Sequence, residues 1–176
     1  MTEDRRTSVR RRAALPFAWR PIPEGASLAE VCDALGLPPA LALQSRLAEL
    51  DDEFRRACAA LADGRVAAAL RVLDAKVAVL EEAVLAQAPH PDSRMVTISA
   101  GGIDFDSPDP LTVGAWLGVH LVLPVSYHIV CRGQVCHCRR QDGGGHRVGV
   151  DLSHLEAPAA RRLTRYAIGR EREAED

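Results

Sequence analysis

The chain has 176 residues, of which 47% are hydrophobic and 26% charged, and its 22 basic and 24 acidic residues leave a formal net charge of −2. This composition is typical of a soluble globular chain that can bury a hydrophobic core. It excludes wholesale disorder and a collagen-like repeat. The near-neutral charge and the 4% aromatic content argue against a protein that coats nucleic acid, so we expect no nucleic-acid partner.

The N-terminal residues 1–12 form a charged tail that contains a cluster of arginines. The tail lacks the apolar centre of a signal peptide, and no later segment of the sequence reaches transmembrane length. We therefore expect a cytoplasmic protein without membrane insertion. The five cysteines are an odd number, which in a cytoplasmic chain predicts reduced thiols.

The first predicted elements are a short strand and a block of helices. Residues 13–22 predict the strand, and its two prolines are expected to place it at a sheet edge or to end it early. Residues 27–88 predict helices. The pattern from Ser27 to Glu30 is a capping box, which opens a short first helix.

The rest of the helical block carries two apolar stripes with alternating steps of four and three residues, the heptad spacing of coiled coils. They are out of register by two residues and are separated at Gly64, so we predict a hairpin of two long helices with Gly64 capping the first. The pair could pack on its own domain, or the second stripe could form an oligomerisation surface, and the sequence leaves both interpretations open. The first stripe comprises Leu43, Leu47, Leu50, Phe54, Ala57 and Leu61. The second comprises Val66, Leu70, Leu73, Val77, Leu80 and Val84.

Residues 94–152 alternate apolar and polar side chains between glycine turns, which predicts β-strands. Short strands at this spacing favour a small antiparallel barrel, and a C-terminal helix over residues 155–172 would cover one end of it. Gly133 is expected to mark a bend or bulge. The predicted strands are Arg94–Ser99, Ile103–Phe105, Val113–Leu123, one that begins at Tyr127, Val135–Arg140, and a last strand with Val148, Val150 and Leu152 pointing inward.

Other polar clusters are weaker candidates for chemistry. Cys136 and His137 are neighbours and would point to opposite faces of a strand, which argues against a nucleophile–base pair. The cysteines and histidines include no CxxC pair, so we expect no metal site. The carboxylates of Asp104, Asp106 and Asp109 are expected to be solvated acids in a turn-rich loop. No phosphate-binding loop or hydrolase motif is present, so we expect no enzyme, no catalytic residue and no cofactor.

Two short motifs stand on either side of the helical block: Arg6-x-x-x-Arg10 in the tail and Thr97-x-Ser99-x-x-Gly102 in the second predicted strand. They are followed by Pro110–Gly114, the strand to Leu123, Val135, Val148–Leu152 and a closing helix that contains Arg162–Tyr166. This order resembles a PilZ domain, the bacterial receptor module for cyclic di-GMP, whose motifs are RxxxR before the first strand and (D/N)xSxxG at the second. Thr97 departs from the family pattern, since it stands where the family has Asp or Asn.

The helical block is longer than the corresponding segment of an ordinary PilZ domain. It is similar to the atypical, tetrameric PilZ subfamily, in which long helices with heptads assemble into a coiled coil. The resemblance implies an α+β fold, with a small antiparallel PilZ-like β-barrel, a long helical hairpin inserted after its first strand and a C-terminal helix. It implies one domain over residues 1–176, with a flexible tail at 1–12, the oligomerisation region at 27–88, the barrel at 94–152 and the final helix at 155–172. The assembly it implies is a homo-oligomer, most simply a tetramer.

The resemblance also implies the ligand, cyclic di-GMP, which carries two phosphodiester charges and two guanines. Guanidinium groups fork onto phosphate oxygens and stack on purine faces, so tail arginines would clamp the nucleotide. Thr97 offers a hydroxyl without a carboxylate's charge, which should weaken binding by about 1.5–3 kcal/mol. The ligand-binding residues that the resemblance implies are Arg5, Arg6, Arg10, Thr97, Ser99, Gly101 and Gly102.

Two functional hypotheses follow from these residues. The first is a cyclic di-GMP receptor or adaptor in bacterial second-messenger signalling, with a protein partner in motility or biofilm control. The alternative is a degenerate PilZ module that binds no nucleotide and acts as an oligomeric scaffold for other proteins. Thr97 is the residue that favours the alternative.

Overall fold

The computed structural model describes residues 9–38, 41, 50, 53–54, 56–61, 64–85, 88–124 and 127–169. Within them, antiparallel strands close into a barrel in the order β1-β2-β3-β6-β5-β4. This barrel, with helices inserted between its first two strands and a helix after its last, confirms the predicted α+β class. The strands are β1 (Arg11–Ile22), β2 (Ser93–Ser99), β3 (Gly102–Ser107), β4 (Trp116–Leu123), β5 (Tyr127–Arg140) and β6 (His146–Asp151). The helices are α1 (Leu28–Ala34), α2 (Gly64–Leu85) and α3 (Ala157–Ala167).

β1 closes the barrel by pairing with two strands in succession. Its first half, from Arg11 to Pro16, pairs with β2, and its second half, from Phe17 to Ile22, pairs with β4. The expectation that prolines put this strand at an edge or end it early is wrong. Pro16 lies at the point where β1 changes partner, so the backbone N–H that proline lacks falls at a corner of the sheet. β1 also begins before the predicted residue 13, because Arg11 and the residue after it belong to the sheet.

The inward faces of the strands form one hydrophobic core. Phe17 and Phe105 meet in this core with ring centroids 4.9 Å apart. Burial of such a side chain stabilises the fold by about 1.5–3 kcal/mol. The inward positions predicted for the fourth and last strands are confirmed, because all of these side chains are buried. They are Leu117, Val119, Leu121, Leu123, Val148, Val150 and Leu152.

α3 packs on the barrel core through Leu163, Tyr166 and Ala167, which confirms that a C-terminal helix covers part of the barrel. The helix ends at Ala167, earlier than expected from the sequence. Gly169 adopts a φ of +74°, a left-handed conformation that commonly ends helices. The last residues of the predicted helix, 170–172, lie outside the described residues.

Two strands differ from their predicted bounds. β4 begins at Trp116 rather than at residue 113, because the chain turns before it at Gly114, which has a φ of +89°. β5 is one continuous strand of 14 residues, and its register shift lies between Val135 and His137 rather than at Gly133. Gly133 serves another purpose, because a Cβ there would overlap the side chain of a β6 valine. The glycine allows close packing, and the bulge forms three residues later.

The helical insertion begins as predicted. Ser27 caps α1 through the expected capping box with Glu30, whose side chain accepts a hydrogen bond of 2.6 Å from the Ser27 backbone N–H. α2 has 22 residues and confirms the second long helix. Gly64 is the first residue of α2 and has no left-handed φ, so its assignment as a C-terminal cap is wrong. Two of the six residues of the first heptad stripe, Leu43 and Leu47, lie outside the described residues.

α2 presents its apolar stripe to the surface of the chain. We call this stripe the α2 seam: Val66, Leu70, Leu73, Val77, Leu80 and Val84. Leu70 is half-buried, and the other five side chains are between 46% and 67% exposed. A row of exposed valines and leucines is unusual for the surface of a monomer, so the α2 seam is a candidate contact surface.

A second, smaller core anchors the insertion on the outside of the barrel. Cys32, Leu37, Leu41 and Ala88 form this cluster, against which Val130 of β5 packs. β4 is therefore buried on both faces, since its inward residues fill the barrel and its outward residues meet the insertion.

Two buried histidines lie beneath the insertion. His120 Nε2 is 2.9 Å from His128 Nδ1, and the ring of His90 meets that of His128 edge-on at 5.0 Å. Burial, with a smaller contribution from the neighbouring histidines, lowers the pKa values of His120 and His128 to about 4. Both rings are therefore neutral in the folded protein near pH 7.

We expect acid to destabilise the fold through these two rings. In the unfolded chain they protonate near pH 6.5, whereas in the folded chain they resist protonation down to about pH 4. Their contribution is complete above pH 6.5 and is lost as the pH falls towards 4, at a cost of a few kcal/mol in the free energy of unfolding. Urea melts between pH 7.5 and 4.5 measure this loss.

The histidine variants separate this effect from general acid unfolding. His120→Leu/His128→Leu should flatten the pH dependence of the unfolding free energy over that range. His154→Asn, a change at an exposed histidine, should leave the dependence unchanged. An equally steep loss of stability in the double variant would contradict the assignment.

Candidate functional site

An open groove of about 870 Å³ lies on the outer face of the barrel, where the start of β1, the β2–β3 turn and the end of α3 meet. Its volume falls within the range of small-molecule sites. Side chains from β2, β3 and β5 form its floor, and Arg10 and Ile168 lie at its border. The groove is the candidate site because most of the residues predicted from the sequence motifs line it.

The structure brings the predicted ligand-binding residues together wherever it describes them. Arg10, Thr97, Ser99, Gly101 and Gly102 all line the groove, although the helical insertion separates the first from the others in sequence. Arg5 and Arg6 lie outside the described residues. Binding of a nucleotide by this set stays a prediction.

The β2–β3 turn has a defined geometry at Ser99 and Gly102. Ser99 Oγ donates a hydrogen bond of 3.3 Å to the carbonyl oxygen of Gly102. A Cβ on Gly102 would lie only 2.6 Å from the carbonyl oxygen of Val150 on the neighbouring strand. Gly102 has no left-handed φ, so the turn conformation does not require a glycine at this position. The glycine is needed because two backbones approach closely there.

Thr97 is already engaged by a charged neighbour. Arg147 of β6 donates a hydrogen bond of 2.6 Å to Thr97 Oγ1, and its other terminal nitrogen donates one of 2.9 Å to Asp106 Oδ1. Partial burial alone would raise the pKa of Asp106, but the hydrogen bonds from Arg147 and Gln141 outweigh it and keep this pKa below its usual value. The Thr97 hydroxyl is thus part of a structural network as well as of the groove lining.

Sequence reasoning missed the part of the groove formed by Asp104, Cys136 and His137. Asp104 belongs to β3, as the predicted strand Ile103–Phe105 implies, and points outward between the buried side chains of Ile103 and Phe105. The second expectation for this residue, a solvated acid in a turn-rich loop, is wrong. The alternation of apolar and polar residues from Ile103 to Phe105 indicates that Asp104 points outward, to the same face of the sheet as Thr97.

The expectation that Cys136 and His137 point apart is also wrong. The register shift in β5 breaks the alternation at Cys136, and its Sγ lies 3.5 Å from His137 Nδ1. Burial is the main cause that raises the pKa of the Cys136 thiol above its usual value, which disfavours the thiolate form. Single-sequence periodicity could not find this arrangement, because a bulge depends on the partner strand.

The charges of the groove are mixed. Among the described residues that line it, Arg10 is the one side chain with a permanent positive charge, and Asp104 and Asp151 are carboxylates. Arg10 is 71% exposed, and its guanidinium lies 4.0 Å from Asp104. A doubly anionic ligand would therefore need further cations from outside this part of the chain.

Two other properties bear on the classes of function. In the ranges that the structure describes, no group of three or more His, Cys, Asp or Glu side chains has an arrangement that could hold a metal ion. None of the described helices combines the length and the apolar character needed to cross a bilayer.

The close approach at Gly102 gives a stability prediction with a matched control in the adjacent residue. Gly102→Ala should lower the free energy of unfolding by about 1–3 kcal/mol, because the new methyl group meets a backbone oxygen that has no room to move. Gly101→Ala should cost far less, since nothing lies within 4 Å of its added Cβ. Thermal melts of both variants test the difference, and equal melting temperatures would show that the strands do not approach so closely.

The chain is similar to proteins of known structure. No curated protein matches the chain. A protein from Xanthomonas campestris, described as a tetrameric PilZ domain self-assembled via a helical bundle, superposes with a TM-score of 0.53 at 20% identity over 93% of this chain and 88% of that one. An inhibitor of motility from Bacillus subtilis matches with a TM-score of 0.49 at 15% identity over 96% of this chain and 52% of that one.

A family model identifies the fold more directly. The model of the PilZ domain matches residues 73–169, more than half of the chain, and this range holds β2 to β6, α3 and the end of α2. The strand that completes the barrel, β1, precedes the matched range. The chain belongs to the PilZ domain family.

Proposed function

We propose that this protein is a cyclic di-GMP receptor or adaptor, a binding module and not an enzyme. The observation that carries the proposal is the position of Arg10, which lines one groove with Thr97, Ser99 and Gly102 although the whole helical insertion separates them in sequence. PilZ domains bind their ligand where an arginine motif before the first strand meets the second motif. The position of Arg10 beside Ser99 and Gly102 supports the same arrangement in this chain.

The chemistry of the groove suits a guanine nucleotide with phosphodiester charges. Guanidinium groups bind phosphate oxygens in a bidentate manner, and they also stack on purines. Arg10 is largely exposed and can reorient, because its long contact with Asp104 is a surface ion pair of little energy. The ligand-free groove holds two carboxylates, so we propose that Arg5 and Arg6 supply the additional positive charge.

One observation favours the alternative, a degenerate PilZ module that acts as a scaffold without nucleotide. Arg147 occupies the hydroxyl of Thr97 with a hydrogen bond of 2.6 Å. A guanine edge would have to compete with this bond at the position where the family has Asp or Asn. Ser99 and Gly102 remain available to shape the pocket, so the receptor is our first proposal.

Calorimetry with cyclic di-GMP on the full chain separates these two functions. We expect the unaltered protein to bind, and Arg10→Ala to bind more weakly by about tenfold, because a hydrogen bond to a charged group contributes about 1.5–3 kcal/mol. Arg6→Ala should weaken binding in the same way. Arg20→Ala, a change to an exposed arginine outside the groove, is the control and should bind normally. No heat at micromolar protein would favour the scaffold.

We further propose that the protein forms homo-oligomers, with a tetramer as the expected state, through the α2 seam. The support is the exposure of five of its six side chains on a helix of 22 residues. Exposed valines and leucines at heptad spacing gain most when a second helix covers them. The Xanthomonas campestris protein, which has a similar fold, is described as a tetramer assembled through a helical bundle.

Light scattering should therefore give a mass well above that of the 19.0 kDa chain. Leu73→Glu and Leu80→Glu should reduce the mass, because each would bury a charge in the seam. Arg71→Glu is the control, since it changes charge at an exposed polar position of the same helix and should keep the assembly. A monomeric unaltered protein would refute the oligomer.

The proposed location is the cytoplasm. The five cysteines are free thiols, and thiols of this kind persist in a reducing compartment. In this setting the oligomer would pass the nucleotide signal to a protein partner in motility or biofilm control.

A further inference from the structure

Asp104 occupies a central place in the groove that the family motifs do not assign. It is the direct cross-strand partner of Thr97 on one side and of Gly149 on the other. His137 of β5 is in turn the partner of Gly149. The groove floor therefore contains a row of outward positions that runs across four strands, in the order Thr97, Asp104, Gly149 and His137.

The row is built so that His137 reaches Asp104 over the intervening strand. A Cβ on Gly149 would overlap the imidazole of His137, so the ring lies directly over the backbone of β6. In this position His137 Nε2 is 3.6 Å from Asp104 Oδ1. Any side chain at position 149 would collide with the His137 imidazole. The glycine therefore allows the imidazole to lie beside the Asp104 carboxylate.

We propose that Asp104 is the carboxylate that selects guanine in this protein, in place of the acidic or amide residue that Thr97 replaces. Guanine presents two adjacent donors, N1–H and the N2 amino group, and a carboxylate has two oxygens that can accept both. The inference rests on the proposed function, because it specifies how the same groove recognises its base. His137 acts as a positioning residue for the carboxylate.

The two other acids near this face already accept hydrogen bonds. Asp151 Oδ1 accepts a hydrogen bond of 2.7 Å from the Ser153 backbone N–H, and Asp106 accepts bonds from Gln141 and Arg147. Among the described residues, His137 Nε2 and the Arg10 guanidinium lie 3.6 and 4.0 Å from the Asp104 oxygens. Both distances exceed a hydrogen bond, so Asp104 keeps lone pairs that a ligand can use.

Base selectivity follows from this assignment. Adenine has an acceptor at N1 where guanine has a donor, so it would place a lone pair against the carboxylate. A site that is built to bond a donor discriminates strongly against a ligand that lacks it, because its own polar group then stays unpaired. The protein should therefore prefer cyclic di-GMP to cyclic di-AMP, and Asp104 should carry much of that preference.

Calorimetry of the full chain with both dinucleotides tests the proposal. Asp104→Ala should weaken binding of cyclic di-GMP by roughly tenfold to a hundredfold and should bring the ratio of the two affinities towards one. Asp104→Asn should lose less, because it keeps one acceptor. Loss of negative charge would by itself favour an anionic ligand, so weaker binding cannot be a general charge effect. Asp109→Ala removes the same charge from an exposed position outside the groove and should bind normally.

A rescue variant distinguishes the loss of a guanine-binding carboxylate from a structural effect of Asp104→Ala. Thr97→Asp in the Asp104→Ala background restores a carboxylate to the paired position on β2 and should recover most of the affinity and selectivity. Unchanged cyclic di-GMP affinity and selectivity in Asp104→Ala would overturn this inference and leave the receptor function standing. No binding by the unaltered protein would overturn the receptor function itself, and the inference with it.

Discussion

The site depends on the way β1 divides its pairing between β2 and β4. Residues of β1 before the corner pair with β2, and residues after it pair with β4, so a single strand closes the barrel. The register puts Arg11 opposite Ile98. Arg10, one residue earlier, therefore enters the groove beside Ser99. Without this pairing Arg10 would not be held at the groove. A local change in β1 would therefore disrupt the core and the groove together.

The same register links the hydrophobic core to the groove floor. Ile103 and Phe105 point into the barrel, so Asp104 between them must point outward and stand beside Thr97. Because strand side chains alternate, a slip of one residue would bury the polar row and expose the core. The core thus fixes the floor of the groove, because burial of Phe105 inside the barrel keeps the neighbouring Asp104 carboxylate on the outer face.

Much of this architecture could be predicted from the sequence, and the exceptions share a cause. Alternation found the β4 and β6 core positions, and the capping box found the start of α1 at Ser27. Pro16, Gly64 and the bulge before His137 were misjudged, because their effects depend on which segment lies next to them. Asp104 is different, since alternation placed it correctly in the strand Ile103–Phe105, whereas the acids nearby also favoured a loop. The described motif residues, Arg10, Thr97, Ser99 and Gly102, converge in the groove, and whether they bind a nucleotide stays a prediction.

The candidate groove and the proposed assembly surface use different parts of the molecule. The insertion rests on outward side chains of β4 and on the first half of β5, where the small core around Cys32 packs against Val130. The groove uses β2, β3 and the second half of β5, where His137 lies. β4 is buried on both of its faces. An oligomer formed along α2 need not cover the groove, and each subunit could therefore bind its own ligand. If binding and assembly are coupled, the coupling must pass through the barrel, and both β5 and β1 contact the insertion and reach the groove.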